Sequence, residues 1–407
     1  MAKILCLTSH DLDGPDYGAA LRGRHILELL AHDGHEVQIV LASDYEPLIR
    51  RAGATLGGVK LAGKVLFRAT AKHSLVSRLR HEFDPQFLDL QWCQASAADR
   101  QWLQTTAEQF DLVWIFGLPM ANNFGLWRWP HSVLDVDDIP SGFYRTQLTA
   151  APGLRKKLLA LRQMVLWHRQ EIKIQERFDA ICVCSELDRR KLGGLDKFFV
   201  LPNGFAQPPR PPRRQPSSPP QIGFVGTFKY APNCEGMRWF ITKVWPLIRQ
   251  ALPLARLRLA GDASDAPAWQ NLPNVDALGW VADMESEMSQ WSLSVVPVFV
   301  GGGTRIKIAE AFSRQCPVVA TSLGAYGYEV EDRRELLLAD TAEMFARQCL
   351  QILNHPSIGQ ALAETAWRKF LENWTWEAQA RRVSSIVGNV LAKPALPAGG
   401  PLAAPQT

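Results

Sequence analysis

Short apolar runs alternate with segments of helical periodicity along the chain, and this rhythm occurs twice. Such alternation is typical of buried parallel strands with helices on both faces of a sheet. The pattern therefore predicts an α/β protein with two doubly wound domains. The predicted strands are Lys3–Ser9, His35–Ala42, Asp111–Phe116, Ser132–Asp137, Asp179–Cys184, Phe198–Leu201, Gln221–Gly226, Ala255–Gly261, Val275–Leu278, Leu293–Val298, Pro317–Thr321 and Glu335–Ala339.

Amphipathic stretches between these runs predict the helices. The chain also contains a stretch, 205–220, whose many prolines cannot continue a helix or a central strand. This stretch separates the two halves. The predicted helices are Gly18–His32, Ala95–Gln109, Gly153–Arg177, Glu186–Leu192, Asn233–Ala251, Met284–Gln290, Thr304–Arg314, Ala342–Asn354 and Ile358–Asn373, with a last one near Thr375–Leu391.

These boundaries predict a domain organisation. Residues 1–205 form the first domain, 206–220 the linker and 221–374 the second domain, while 375–391 form a separate last helix. Residues 392–407 are rich in alanine, proline and glycine without periodicity, so we expect a disordered tail.

Composition narrows the class of protein. A chain of 407 residues with 47% hydrophobic and 21% charged residues is globular and long enough for two domains. The net charge of +5 is modest for this length and gives no reason to expect nucleic acid as a partner. Seven cysteines without metal-ligand spacing predict reduced thiols, and the chain has neither a secretory signal pattern nor a long apolar span. We therefore expect a cytoplasmic protein.

The run from Val298 to Glu310, VFVGGGTRIKIAE, carries the strongest chemical signal. An apolar strand ends in three glycines, and a helical pattern then begins at Thr304. Glycine lets a ligand approach the backbone, and a helix N-terminus favours an anion. Arg305 and Lys307 add full charges beside it. The run therefore predicts a site for a phosphorylated ligand.

Several motifs occur in a fixed order in both halves of the chain. They resemble those of the GT-B fold glycosyltransferases, specifically the retaining, nucleotide-sugar-dependent family 4 type, and most closely a bacterial branch associated with exopolysaccharides. The resemblance runs from Lys3 to about Val387. It is carried by the glycine loop before Ala19-Ala-Leu-Arg22, by Gly34-His-Glu-Val37, Val183-Cys-Ser-Glu186, Val200-Leu-Pro-Asn-Gly204, Gly223-Phe-Val-Gly-Thr-Phe-Lys-Tyr-Ala-Pro-Asn233, Leu257-Arg-Leu-Ala-Gly261, Leu278-Gly-Trp-Val281, Gly301–Glu310 and Pro317-Val-Val-Ala-Thr-Ser322.

The resemblance implies two Rossmann-like domains facing a central cleft, with the last helix crossing back to the first domain. The second domain would bind a nucleotide diphosphate-sugar, with Glu310 accepting hydrogen bonds from ribose hydroxyls and the base held near Val281. Cations would offset the diphosphate charge, and we expect no cofactor. The implied donor-binding residues are Lys229, Gly301, Gly302, Gly303, Thr304, Arg305, Lys307, Glu310 and Val281.

The chain departs from the family pattern at two places. Gly302 stands where a glutamate usually contacts the donor sugar, so backbone N–H groups of the glycine run would take over that contact. Thr227 stands where many members have an arginine, which leaves Lys229, Arg305 and Lys307 as the replacement cations. The departures leave the transferred sugar open.

The first domain would bind the acceptor, a glycan, a lipid-linked sugar or a small molecule. Gly18, Arg22 and Asp138 are the implied acceptor contacts, and Asp137 joins Arg305 and Lys307 as a catalytic candidate. Asp137 and Asp138 are alternatively turn residues before Ile139. The three aspartates in the run 135–138 also resemble a set of metal ligands. Metal-independent chemistry is usual for this fold, however, so we expect no metal.

The segment 154–173 carries cations beside a long apolar stripe. One interpretation is docking on an anionic membrane that holds a lipid-linked acceptor, with Trp127, Trp129 and Phe143 inserting at the interface. The alternative is an amphipathic helix that packs on the sheet. The sequence leaves both open.

Three other classes of function compete with a sugar transferase that retains anomeric configuration. A dehydrogenase would need a Gly-x-Gly-x-x-Gly motif, which follows neither first strand. A nucleotide-sugar epimerase or hydrolase would share the fold. A non-catalytic nucleotide-sugar-binding protein would explain the glycine at position 302.

Overall fold

The computed structural model describes residues 1–14, 18–70, 82–84, 86, 88, 92–194 and 196–393. It divides the chain into two compact units. The first unit contains Met1–Pro202 and the chain from Gln379 onward, and the second contains Asn203–Ala378. The tail predicted to be disordered lies outside the described residues, apart from its first two.

The first unit is built on an eight-stranded sheet with the order β10-β9-β8-β7-β1-β2-β4-β3. Neighbouring strands are parallel except for β3 and β4, which pair antiparallel at one edge. Two short strands, β5 and β6, form a separate pair. The strands are β1 Lys3–Thr8, β2 Glu36–Ser43, β3 Thr55–Leu56, β4 Val59–Leu66, β5 Arg68–Ala69, β6 Cys93–Gln94, β7 Leu112–Phe116, β8 Ser132–Val136, β9 Ala180–Val183 and β10 Phe198–Val200.

Apolar side chains cover both faces of this sheet. Leu5 and Leu7 of β1 belong to one core, and Ile4 and Cys6 belong to the other, because successive side chains of a strand point to opposite faces. The named helices are α1 Gly18–His32, α2 Glu46–Arg51, α3 Ala97–Ala107, α4 Leu118–Asn123, α5 Pro140–Ala150, α6 Leu154–Glu171, α7 Ile174–Arg177 and α8 Glu186–Lys191.

The second unit has a six-stranded, fully parallel sheet with the order β13-β12-β11-β14-β15-β16. Its strands are β11 Gln221–Val225, β12 Arg256–Ala260, β13 Val275–Gly279, β14 Leu293–Val296, β15 Val318–Ala320 and β16 Leu337–Leu338. Its helices are α9 Ala231–Trp239, α10 Trp245–Ala251, α11 Met284–Ser289, α12 Ile306–Ser313, α13 Ala342–Asn354 and α14 Pro356–Asn373, with a π-helical turn at Phe240–Val244 and a 3₁₀ turn at Pro267–Trp269.

The last helix, α15 Trp376–Leu391, begins in the second unit and continues in the first. Val383, Ile386, Val387 and Val390 lie in the same core as Ile4 of β1. Their spacing of three and four residues places them on one face of the helix. The chain therefore returns to the first unit through a buried helical face.

All twelve predicted strands are confirmed, with ends shifted by at most a few residues. The eight-residue strand β4 was not predicted, because Lys60, Gly63 and Lys64 give it an unfavourable composition. It forms because it pairs with β2, and the indole of Trp102 occupies the space where Gly63 lacks a side chain. The predicted helix Gly153–Arg177 is two helices, and α5 before it was missed.

Candidate functional site

Two loops of the second unit meet where the strand order of its sheet reverses. Strand β11 lies between β12 and β14, so the chain winds in opposite directions from these neighbours. The loop 226–230 leaves the carboxyl end of β11, and the loop 297–304 leaves the carboxyl end of β14. Open α/β sheets bind ligands at this switch point. The predicted glycine loop therefore stands at the expected ligand position of the fold.

The glycine run adopts a backbone that other residues disfavour. Gly301 has a φ of 138° and Gly303 a φ of 61°. A Cβ at Gly301 would also lie 2.8 Å from Nη2 of Arg305. The prediction that the helix begins at Thr304 is wrong by two residues, because α12 begins at Ile306 and Arg305 is its N-cap. The backbone N–H groups of the first turn of α12 thus follow directly on the glycine run.

Arg305 folds back over the glycine run. Its Nη1 donates a hydrogen bond to the carbonyl of Gly303 at 3.0 Å and another to the carbonyl of Gly302. Its Nη2 is buried and has no hydrogen-bond partner in the described part of the chain. The Tyr328 hydroxyl donates to the Arg305 carbonyl at 3.0 Å and so holds the backbone in place. A buried N–H without a partner is unfavourable unless a ligand supplies an acceptor.

Lys307 lies beneath the same loop. Its Nζ donates to Oδ1 of Asn233 at 2.7 Å and stands 4.2 Å from the centre of the Phe224 ring. A Cβ at Gly226 would come within 3.2 Å of this Nζ, so a glycine after β11 makes room for the ammonium group. Burial, with a further contribution from Arg305, lowers the pKa of Lys307 to about 7. The group can therefore take up a proton when an anion arrives.

Glu310 is the second charged residue of α12, after Lys307. Arg314, one turn further along the helix, donates from Nη1 to Glu310 Oε1 at 2.9 Å. Burial raises the pKa of Glu310, while Arg314 and Lys307 act in the opposite direction. The guanidinium of Arg314 also lies 5.3 Å from the centre of the Phe205 ring. The ion pair and the ring contact together fix the position of the Arg314 guanidinium.

The remaining predicted donor residues differ in their surroundings. Thr304 accepts a hydrogen bond on Oγ1 from the amide of Asn203 at 2.9 Å. Lys229 is exposed and forms an ion pair of 3.0 Å with Asp262. Val281 is half-buried in a core that also contains Ile308 of α12, next to the exposed Trp280. Lys307 is thus joined to Asn233 by a direct contact, whereas Lys229 is held by a surface carboxylate.

The sequence motifs predicted no role for Asn233 or Arg314. Asn233 is buried, donates to the Thr227 carbonyl at 2.8 Å and accepts from Lys307, so it joins the β11 loop to α12. No local signal identifies that contact, since the two residues are far apart in the chain. Arg314 did have a signal, because a glutamate four residues before an arginine on a helix favours an ion pair.

Arg22 of the first unit was predicted to contact an acceptor, yet its side chain is only 1% exposed. It donates from Nε and Nη2 to both oxygens of Asp135 and from Nη1 to the carbonyl of Leu201 at 3.0 Å. This pair joins α1 to β8 and to the segment after β10. In this structure the guanidinium therefore supports the sheet and does not face solvent.

The other first-unit candidates lie at strand ends. Gly18 is exposed at the start of α1, although residues 15–17 of its loop fall outside the described part. Asp137 follows β8, and its Oδ1 accepts from the Cys184 thiol at 3.2 Å. Asp138 is exposed beside it. His10, which follows β1, was not among the predicted site residues. Burial lowers the pKa of His10, and the charge of Asp137 acts in the opposite direction.

Neither a metal-ligand cluster nor a membrane-spanning helix occurs among the described residues. No group of three or more His, Cys, Asp or Glu side chains among them is arranged to hold a metal ion. No helix in the same part of the chain is long and apolar enough to cross a membrane.

Comparison with known proteins gives a family match in the second unit. Residues 219–355 match the family described as Glycosyl transferases group 1, which covers the β11 loop, the glycine run and α12. An uncharacterized 44.6 kDa protein in the cps region of Klebsiella pneumoniae is 23% identical over 161 residues, 37% of this chain and 42% of that protein. The match thus spans less than half of the relative.

Solved structures resemble the chain over nearly its whole length. Sucrose-phosphate synthase from Thermosynechococcus elongatus has a TM-score of 0.66 and 16% identity, covering 96% of this chain and all of that one. Anabaena HepE, solved in complex with UDP and glucose, has a TM-score of 0.59 and 15% identity, covering 95% of this chain and all of that one.

The two doubly wound units and these likenesses define the class. The chain has the GT-B fold, as predicted. The match to the Glycosyl transferases group 1 family lies in its second unit and includes the glycine run at the switch point.

Proposed function

We propose that the protein is a glycosyltransferase that transfers a sugar from a nucleotide diphosphate-sugar to a glycan, lipid-linked or small-molecule acceptor. We further propose the family 4 type of reaction, with retained anomeric configuration and with neither metal nor cofactor. The observation that carries the proposal is the buried Nη2 of Arg305 over the glycine run at the switch point, which has no hydrogen-bond partner among the described residues.

The cations of the site suit a diphosphate. Arg305 offers a free buried donor, and Lys307 supplies an ammonium group whose pKa near 7 rises when a negative charge binds beside it. The first turn of α12 adds backbone N–H groups and a favourable dipole. When the glycosidic bond breaks, these groups stabilise the charge that develops on the leaving diphosphate. Lys229 contributes from the surface once a phosphate displaces Asp262.

Glu310 suits the ribose. A carboxylate offers only acceptors, which match the two hydroxyl donors of a ribose. Its Oε1 already accepts from Arg314, and its second oxygen appears in no hydrogen bond to the described residues. The nucleobase would then lie toward Val281 and Trp280, and the sugar would contact the backbone of Gly301, Gly302 and Gly303.

The acceptor is assigned to the first unit. Gly18, Asp137 and Asp138 lie at the loops after β1 and β8, and Asp137 with His10 offers groups for handling a proton. Arg22 contributes through Asp135, by holding these loops in place, since its own side chain is buried. For a lipid-linked acceptor we propose a peripheral position on the cytoplasmic face of an anionic membrane.

A thermal-shift comparison of UDP, GDP, ADP and dTDP with their sugars tests the donor. A ligand that binds only the native state raises the unfolding midpoint, and UDP-glucose is the first donor to try because HepE was solved with UDP and glucose. Release of nucleoside diphosphate is then measured for wild type, Glu310→Gln and the distant control Glu343→Gln on α13.

Loss of release in Glu310→Gln alone supports the proposal. Equal background rates of nucleoside diphosphate release in all three proteins would contradict the proposal. Release without any acceptor indicates an epimerase or hydrolase, while donor binding without turnover indicates a non-catalytic binding protein. NMR of fresh product decides between retained and inverted linkage.

A further inference from the structure

Helix α6 has two apolar faces. Ala160, Leu166 and Trp167 are buried, and the last two belong to the core beneath the sheet. A second stripe lies on the opposite side of the helix at a spacing of four, three and four residues, so its members share one face. This stripe consists of Leu154, Leu158, Leu161 and Val165, which are 73%, 56%, 40% and 37% exposed.

The two sequence interpretations of this segment concern different faces of the helix. The prediction that the helix packs on the sheet holds for the face with Leu166 and Trp167. It leaves the exposed stripe unexplained. Trp129 cannot assist at a membrane as first expected, since it is 2% exposed in the core. Ile172, directly after the helix, extends the stripe by a further exposed side chain.

The charge beside this stripe has one sign. Arg155 and Lys157 flank the stripe on its two sides at helical spacing, and both are exposed and form no ion pair within the described ranges. Further along, Arg162 pairs with Glu82, and Glu171 is buried where it accepts from the backbone N–H of Ser141 at 2.7 Å. The six residues from Leu154 to Leu159 are all exposed, three apolar and three cationic.

The geometry points to an anionic lipid bilayer as the partner of this stripe, with leucines in the interface and cations at the headgroups. An apolar helix face flanked by lysine and arginine is the arrangement of helices that lie in a membrane surface. A second copy of the chain is a poorer partner, because pairing two such stripes would bring the cations of both copies together. This inference does not rest on the donor site.

The hairpin of α5 and α6 is suited to such contact. Helix α5 has no buried residue, so it lies on the outside of the unit. Ser141 at its start is held by both oxygens of Glu171 at the end of α6, which ties the two helices together. The stripe is therefore presented by a defined hairpin and not by a loose segment.

Vesicle flotation without donor tests the inference. The full chain is mixed with vesicles of phosphatidylcholine alone or of phosphatidylcholine with phosphatidylglycerol. We expect binding to the anionic vesicles only. The variant Leu154→Ser/Leu158→Ser/Leu161→Ser should lower the partition coefficient more than about tenfold. A matched control, Leu187→Ser/Leu247→Ser/Leu254→Ser, removes three comparably exposed leucines from elsewhere.

The contribution of the cationic residues beside the stripe is tested with the same vesicles. Arg155→Glu/Lys157→Glu should lower anionic-vesicle binding by about thirtyfold or more, since each basic residue near such a surface contributes about fivefold. Arg210→Glu/Arg213→Glu makes the same change in net charge away from the stripe and should retain most of the binding. Unfolding midpoints check that every variant folds.

Several results would overturn the inference. These are equal binding to both kinds of vesicle, wild-type binding by the stripe variant, and a wild-type dimer in solution that the stripe variant dissociates. The last result would assign the stripe to a second copy of the chain. A wild type that binds neither vesicle would overturn it as well.

Discussion

Nη1 of Arg314 lies 2.9 Å from Oε1 of Glu310, one helical turn away on α12. Both side chains are largely buried, at 16% and 14% exposure, so the pair is less screened than a surface ion pair. Burial raises the pKa of Glu310, and Arg314 opposes that shift. Arg314 therefore favours the ionised form of the proposed ribose acceptor and orients its carboxylate.

Replacing Arg314 should weaken donor binding in a pH-dependent way. In Arg314→Met the pKa of Glu310 rises further, so the carboxylate becomes protonated at a higher pH than in wild type. We expect donor KM to rise by about tenfold near pH 6 and by less near pH 8, with kcat less affected. Arg314→Lys should recover part of the loss.

The control for that measurement is Arg50→Met. Arg50 forms an ion pair with Glu46 at the same helical spacing on the exposed helix α2. Its removal should leave donor KM unchanged at every pH. A pH-independent loss in Arg314→Met would show that Arg314 acts by packing alone.

Donor binding should take up a proton through Lys307. Its pKa is about 7, and a bound diphosphate favours the charged ammonium form. Affinity should then fall as pH rises from 7 to 9, by at most about tenfold per unit. Calorimetry of UDP binding in two buffers of different ionisation enthalpy measures the uptake directly.

Lys307→Met should weaken UDP binding and remove most of that pH dependence. Lys243→Met, an exposed lysine of the same unit, is the matched control and should behave as wild type. An identical binding enthalpy in both buffers for the wild type would contradict proton uptake.

Breaking the Arg22–Asp135 pair should destabilise the first unit. Removing one partner of a buried ion pair leaves an uncompensated charge, which costs about 3–5 kcal/mol. Asp135→Asn and Arg22→Met should therefore lower the free energy of unfolding by that amount in chemical denaturation. The double variant Arg22→Met/Asp135→Leu should lose less than the sum. A normal unfolding midpoint with a raised acceptor KM would instead make Arg22 an acceptor contact.

Gly236 should not tolerate a side chain. A Cβ there would lie 1.9 Å from the carbonyl oxygen of Pro297, which is backbone and cannot move aside. Gly236→Ala should lower the free energy of unfolding by about 1–3 kcal/mol. Gly388→Ala in α15 meets nothing within 4 Å and should be neutral or stabilising. Equal midpoints for the two variants would contradict this close packing of α9.

The strands illustrate what local pattern can predict. Runs such as Leu112–Phe116 are apolar throughout, and only a strand buried on both faces requires that. Strand β4 was not predicted, because Lys60 and Lys64 are unfavourable in a strand. It forms because its pairing with β2 outweighs their charge. Helix α12 was found but placed two residues early, since the positive φ of Gly303 delays the start of the helix.

The candidate site also has one part that the local sequence predicts and another that only folding brings together. Glycines, Arg305, Lys307 and Glu310 lie within ten residues, so the sequence alone identified them as one anion-binding group at the end of a strand. Asn233 and Asn203 reach this group from distant parts of the chain, and only folding brings them to Lys307 and Thr304. Local order therefore determined which residues form the proposed donor loop.

Tertiary structure decided what those residues do within the fold. Burial lowered the pKa of Lys307 and left Nη2 of Arg305 without a partner in the described part of the chain, and it placed Arg22 in the interior. Desolvation depends on neighbours that no local window of the sequence contains. It also decided which apolar face of α6 is covered. The sequence determined two parallel α/β units and a glycine loop, because hydrophobic periodicity and backbone freedom are local properties.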